Sequence, residues 1–143
     1  MVLEAPRTVV VLDTNIVLDL LVFRDPACAS LRQALHDGRL AWLASAAMRD
    51  ELARVLGYPQ IVPRLAFYEL EAQAVLAEFD RHARIVGVAP AVPLLRCKDP
   101  DDQKFIDLAV AHRAWLLSKD SAVLRLAKRL LPLGVRVQKA FVS

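Results

Sequence analysis

A chain of 143 residues that is 56% hydrophobic is long enough for one compact domain, over residues 1–143, and too short for two. Its formal charge of +3 is mild, and no segment has the polar bias of a disordered tail or linker. The start MVLEAPRTVVVL lacks the basic head and apolar core of a secretion signal, and the longest apolar stretch, Ile85–Leu95, is broken by Pro90 and Pro93 and too short to cross a bilayer, so a soluble, cytoplasmic protein without a membrane partner is expected.

Thr8–Leu12 (TVVVL) is an unbroken, largely β-branched run, the pattern of a strand covered on both faces. Helical patterning follows as far as Phe23. Asp25, Pro26 and Gly38 then frame a second helix as cap, first residue and stop. Leu40–Ala44 reads as the second strand, and Ser45 is placed to cap a helix ended by Gly57. One longer helix is predicted from about Arg64 to His82, followed by a third strand within Ala83–Val88. A loop from Pro90 to Pro100 leads to a helix over Asp102–Arg113. Ala114–Ser118 reads as a fourth strand, Ser121–Leu131 as a helix and Val135–Gln138 as a fifth strand. Strands alternating with helices imply crossover connections, hence an α/β fold with a mostly parallel sheet of about five strands covered on both sides. In such sheets, sites lie beyond the carboxyl ends of the strands.

The acids fall where that rule points. Asp13 directly follows the first strand, and Asp120 comes two residues after WLLS, although Asp120 can also serve as an ordinary cap for the helix at Ser121. Thr14 or Asn15 could cap the first helix without Asp13. Glu51 lies on the apolar stripe formed by Met48, Leu52, Val55 and Leu56, whereas Asp50 lies on another face and can pair with Arg54. Asp102 shares a face with Phe105, Ile106 and Ala109. Asp99 precedes a proline and is expected to be extended, which leaves Asp101 as the natural cap.

Two carboxylates ~4 Å apart repel by about 4 kcal/mol at an effective dielectric of about 20. No lysine or arginine shares these inward positions, Lys98 and Lys119 being merely near in sequence. Gathered acids of this kind take up protons or a cation. An all-oxygen set selects a hard divalent ion, Mg²⁺ or Mn²⁺, and suits phosphodiester hydrolysis. Cys28, Cys97 and the three dispersed histidines fit no zinc spacing, and four glycines that never cluster exclude a P-loop or dinucleotide-binding loop. After Asp107 there is one acid, Asp120, against seven bases: Arg113, Lys119, Arg125, Lys128, Arg129, Arg136 and Lys139. That run suits a polyanion, although from charge alone a solvated helix face is the better account.

In this order, VVVLDTN, an inward Glu51, DPDDQKFIDLA and WLLSKD resemble a PIN domain over about Thr8 to Val137. Within that family the chain is similar to VapC-type ribonucleases, toxins of toxin–antitoxin pairs. The resemblance implies a three-layer α/β/α sandwich and a Mg²⁺- or Mn²⁺-dependent endoribonuclease. It also implies that Asp13, Glu51, Asp102 and Asp120 are the metal-binding acids, with Asp13 and Asp102 the main ligands. Asn15 would orient water or an acid, and Ser118 stands where many members carry threonine. In-line attack would leave 5′-phosphate and 3′-hydroxyl ends, and the basic stretch from Arg113 to Arg129 would track the RNA backbone.

The family also raises an antitoxin partner and a homodimer; the bulky segment Phe67–Phe79 fits either such a contact or plain core packing. Two alternatives stand beside the nuclease. A PIN-like module that binds RNA or a partner without turnover keeps the same acids. An aspartyl-phosphate phosphatase of the haloacid-dehalogenase type wants a second Asp two residues after the first, where this chain has Asn15.

Overall fold

In the structure, a computed structural model describing residues 7–91 and 95–141, the run Thr8–Leu12 forms the middle strand, β1. Its Val10, Val11 and Leu12 are buried because sheet neighbours and helices cover both faces. The other strands are β2 (Leu40–Ala44), β3 (Ala83–Ile85), β4 (Trp115–Leu117) and β5 (Arg136–Gln138). They lie in the order β3-β2-β1-β4-β5, and every pairing is parallel. Val10 is in register with Trp42 on one side and Trp115 on the other.

The helices are α1 (Thr14–Leu21), α2 (Ala29–His36), α3 (Ala46–Val55), α4 (Val62–Phe67), α5 (Ala72–His82), α6 (Gln103–His112), α7 (Ser121–Leu124) and α8 (Ala127–Leu130). The chain winds from β1 outward to β3, crosses to β4, and ends at β5. With right-handed crossovers, the two halves lay their helices on opposite faces. Accordingly α1, α3 and α5 contact one another, while α6 packs on β1 and β4, and α8 on β5. The winding direction reverses between β1 and β4, which opens a crevice at their carboxyl ends. No helix among the described residues is long and apolar enough to cross a membrane.

Local chemistry explains most boundaries. Ser45 caps α3 through Met48 N–H, and the Met48 sulfur accepts from Ser45 N–H at 3.4 Å, a capping box closed by a thioether. Asp25 caps a 3-10 turn over Pro26–Cys28, so the second helix begins as a tighter turn before α2 proper.

Three sequence expectations change. The single helix from Arg64 to His82 is two, because the chain closes α4 with Glu69 in the left-handed region at φ 56°. Glu69 N–H bonds Ala66 C=O and Leu70 N–H bonds Leu65 C=O, a Schellman closure made without glycine. The helix expected over Ser121–Leu131 is likewise broken, with Leu126 N–H reaching back only to Val123. The third change concerns capping near Pro100. Asp99, and not Asp101, supplies the cap, accepting from Asp101 N–H at 3.0 Å to close a 3-10 turn over Pro100–Asp102 ahead of α6. Val92–Leu94, inside the predicted loop, lie outside the described residues.

On the β1-to-β3 side the core centres on Trp42 and Phe79, packed edge to face with centroids 5.0 Å apart and both 2% exposed. Phe79→Ala should lower stability by about 3–5 kcal/mol. Urea unfolding should show this as an earlier midpoint at unchanged slope.

Candidate metal centre

The crevice between β1 and β4 is where the acids gather. Asp13 N–H bonds Leu117 C=O at 3.1 Å, which ties the two strand ends together. The Asp13 side chain is buried and itself caps α1, its Oδ1 accepting from Ile16 N–H at 3.2 Å; neither Thr14 nor Asn15 takes that part. Its Oδ2 accepts from the hydroxyl of Ser118. Burial pushes the Asp13 carboxyl above its usual range; Ser118 and the N–H groups of Ile16 and Asn15 oppose this, and the charge of Asp120 adds to it.

Ser118 is completely buried and works in two directions: its oxygen also accepts from Asp120 N–H at 3.0 Å. One hydroxyl thereby fixes the Asp13 carboxylate and the backbone that presents Asp120. Asp120 caps α7 through Ala122 N–H at 2.7 Å using Oδ1, so its capping and its place in the pocket coexist.

Asp102 occupies the cap position of α6 but makes no cap bond. Its Oδ2 is buried and has no hydrogen-bond partner among the described residues. Burial, then the nearby charges of Asp120 and Asp99, a side-chain hydrogen bond with Asp120 and the charge of Asp13 raise its carboxyl to about 7. One oxygen each from Asp99, Asp102 and Asp120 lie within 4.8 Å of one another. The chain leading to Asp99 is held by Gln103, whose amide donates to Leu95 C=O at 3.1 Å and accepts from Cys97 N–H at 2.6 Å.

Of the six residues singled out in the sequence, Asp102 and Asp120 lie in this three-carboxylate group, with Asp13 close enough to act on both. Ser118 is the link between Asp13 and Asp120. Asn15 is exposed and reaches the site through its backbone N–H to Asp13. Glu51 stands apart: its Oε2 accepts from the Thr14 hydroxyl, and its Oε1 lies 3.3 Å from Lys104 Nζ.

That ion pair corrects the expectation that no cation shares the inward positions. Lys104 comes two residues after Asp102 and could have been read from the α6 pattern, since it lies one turn after Asp101. In the sequence Asp99 is an extended residue before Pro100 in the loop by the site, where with Asp101 it could reach a second metal through water. Lys119, by contrast, turns away and pairs with Asp19 of α1, which removes one member from the basic run.

The donor set is entirely oxygen, it includes a buried carboxylate oxygen without a partner, and its acids repel one another. These residues fit a hard divalent ion.

The fold and site together define a doubly wound α/β protein with a carboxylate pocket at its switch point. The PIN domain family model matches residues 9–122, and the chain belongs to the PIN domain family. In fold it is similar to a chain in the crystal structure of VapBC2 from Rickettsia felis bound to a DNA fragment from their promoter. Identity is 14%, 91% of this chain and 97% of that chain are covered, and the TM-score is 0.60. Comparison with curated proteins finds no match.

With its carboxyl raised to about 7 from 3.8, native Asp102 keeps a proton that the unfolded chain has already lost. Its stabilising share is therefore full below about pH 4 and is lost as pH rises through about 7. In EDTA the melting temperature should fall between pH 5 and pH 8, and Asp102→Asn should flatten that fall and melt a few degrees higher than the parent at pH 8. An unchanged slope in Asp102→Asn would contradict the assignment.

Proposed function

We propose that this protein is a Mg²⁺- or Mn²⁺-dependent endoribonuclease and the toxin of a toxin–antitoxin pair. The observation that carries the reading is that Asp102, whose carboxyl gathers with those of Asp99 and Asp120, keeps a buried oxygen without a partner among the described residues. A buried acceptor in a pocket of like charges is unfavourable unless a cation or proton completes it. Membership of the PIN domain family supports the same chemistry.

Asp99, Asp102 and Asp120 would hold the ion, with Asp13 adjoining them. When bound, the ion supplies orientation of the phosphate, activation of water and stabilisation of the leaving oxygen. The chain's own residues do the rest. Ser118 holds the Asp13 carboxylate at a fixed angle and keeps Asp120 turned inward. Asn15, exposed beside Asp13, is available to hydrogen-bond the substrate or its water. Arg125, Lys128 and Arg129 are exposed on the short helices that begin at Asp120 and suit an RNA backbone entering from that side. Scission would leave 5′-phosphate and 3′-hydroxyl ends.

A protein partner is part of this reading. Val62 (49% exposed) and Phe67 (79% exposed) stand beside the half-covered Tyr58 and Tyr68 on and around α4. Such a patch suits an antitoxin or a second copy of the chain. The likeness to a chain of VapBC2 supports the antitoxin.

Labelled single-stranded RNA should be cut in Mn²⁺ or Mg²⁺ and spared in EDTA. Asp13→Asn should cut at least about 100-fold more slowly while melting cooperatively. Cutting that persists in EDTA, or equal cutting by Asp13→Asn, would end the proposal.

A further inference from the structure

The basic run toward the end of the chain divides in the structure. Arg125 and Lys128 lie on the short helices that begin at Asp120, whereas Arg113 and Arg136 stand at the amino ends of β4 and β5. Two further arginines share that edge: Arg7 immediately precedes β1, and Arg39 immediately precedes β2. Because β2, β1, β4 and β5 are neighbours and all parallel, their amino ends line one edge, opposite the edge that carries the acids. At about 4.8 Å per strand, the four span about 14 Å. All four arginines are exposed. Arg39 pairs with Asp37 at 3.7 Å, and among the described residues Arg7, Arg113 and Arg136 have no carboxylate partner.

Charge alone would fit a solvated face, but two local features go further. Arg113 closes α6 in the left-handed region, at φ 49° and ψ 47°, where glycine is the ordinary choice. Gly134 makes room for it: a Cβ there would lie 3.1 Å from Cγ and 3.2 Å from Cδ of Arg113. The fold accepts strain at one position and a bare backbone at another, and together they hold this arginine at the edge. Arg136 is set in place as well, its guanidinium 4.8 Å from the centroid of the Trp115 ring, which Phe141 backs at 5.3 Å. A guanidinium laid on an indole is a platform on which an unpaired base can stack. Such a platform suits a single strand better than a duplex, whose bases are turned inward.

We propose that this edge is a second contact surface for the RNA, where Arg7, Arg113 and Arg136 hold backbone phosphates and Arg136 on Trp115 stacks a base. It lies at the far end of β1, a strand of five residues, hence about 16 Å from the carboxylates. The nucleotides it holds are therefore several removed from the bond that is cut. The choice of RNA rests on the nuclease reading; the existence of the surface does not.

The test measures binding of a labelled single-stranded RNA oligonucleotide across salt concentrations in EDTA, which withholds any ion from the acids. The parent is compared with Arg113→Gly, Arg136→Gln, the double variant and Arg113→Lys, each first shown to melt cooperatively. Arg113→Gly should melt within about two degrees of the parent or above it, because glycine relieves the left-handed backbone. Each loss of an arginine should weaken RNA binding about three- to tenfold and lower the salt slope by about 0.7, and the double variant should lower it by about 1.4. Arg113→Lys should keep the parent slope. Mn²⁺ binding, titrated by calorimetry without RNA, should stay within about twofold of the parent, since charges this far away are screened. Indole fluorescence should respond to RNA in the parent and not in Trp115→Phe, because Trp42 is shut in the core.

A merely structural role would lower the melting temperature and leave the salt slope alone. A double variant with unchanged affinity and slope overturns the proposal, as does a parent that binds no RNA. So does a fluorescence response that is absent in the parent or persists in Trp115→Phe. Tighter binding of duplex DNA than of RNA, lost equally in the double variant, overturns the assignment to RNA. If the parent binds RNA through this edge but never cuts it in Mn²⁺, the nuclease reading falls and the surface stands.

Discussion

The hydroxyl of Ser118 is the constraint on which the site depends. It lies at the end of β4 with no solvent contact, donates to the Asp13 carboxylate at the end of β1, and accepts from the backbone of Asp120. Two neighbouring parallel strands are thereby locked at their carboxyl ends by a side chain as well as by the Asp13–Leu117 backbone bond. In a doubly wound sheet these two strands send their helices to opposite faces, so their ends are the place where the chain cannot fill the crevice itself. The acids occupy the gap that topology leaves.

That gap explains a tension between stability and chemistry. Asp102 takes the cap position of α6 without capping it, while Asp99 does the local capping work. A residue that declines a hydrogen bond with its own helix stays available to something else. Its raised carboxyl and the partnerless Oδ2 are two aspects of one arrangement: like charges held close by Ser118, Gln103 and the 3-10 turn at Pro100. Folding free energy from the Trp42–Phe79 core and the buried β1 strand holds the acids together against their repulsion.

Much of this was legible in the residues. A mostly parallel sheet of about five strands follows from TVVVL, LAWLA, ARIVGV, AWLLS and VRVQ alternating with helical segments, and Asp13 and Asp120 stand out by their place at strand ends. Periodicity put Glu51 and Asp102 on inward faces correctly. It could not reveal that Glu51 meets a lysine 53 positions later in the chain, because such a pairing depends on how α3 and α6 approach each other. The break at Glu69 was hidden for a different reason. A left-handed closure ordinarily announces itself with glycine or asparagine, and here a glutamate accepts the strained conformation. Asp99 is extended before its proline, as the sequence indicates, but it takes the capping part that the sequence assigns to Asp101, because the turn over Pro100–Asp102 presents Asp101 N–H to its side chain.

The ion pair between Lys119 and Asp19 has a consequence beyond local stability. Lys119 sits in the chain directly between Ser118 and Asp120, adjacent to an acid of the pocket. Had its ammonium swung inward, the molecule would carry its own counter-charge and refuse a visitor. By giving that lysine a separate anion on α1, and lending Lys104 to Glu51, the fold keeps these two cations occupied elsewhere. The remaining acids keep their mutual repulsion, and the raised carboxyl of Asp102 is its mark.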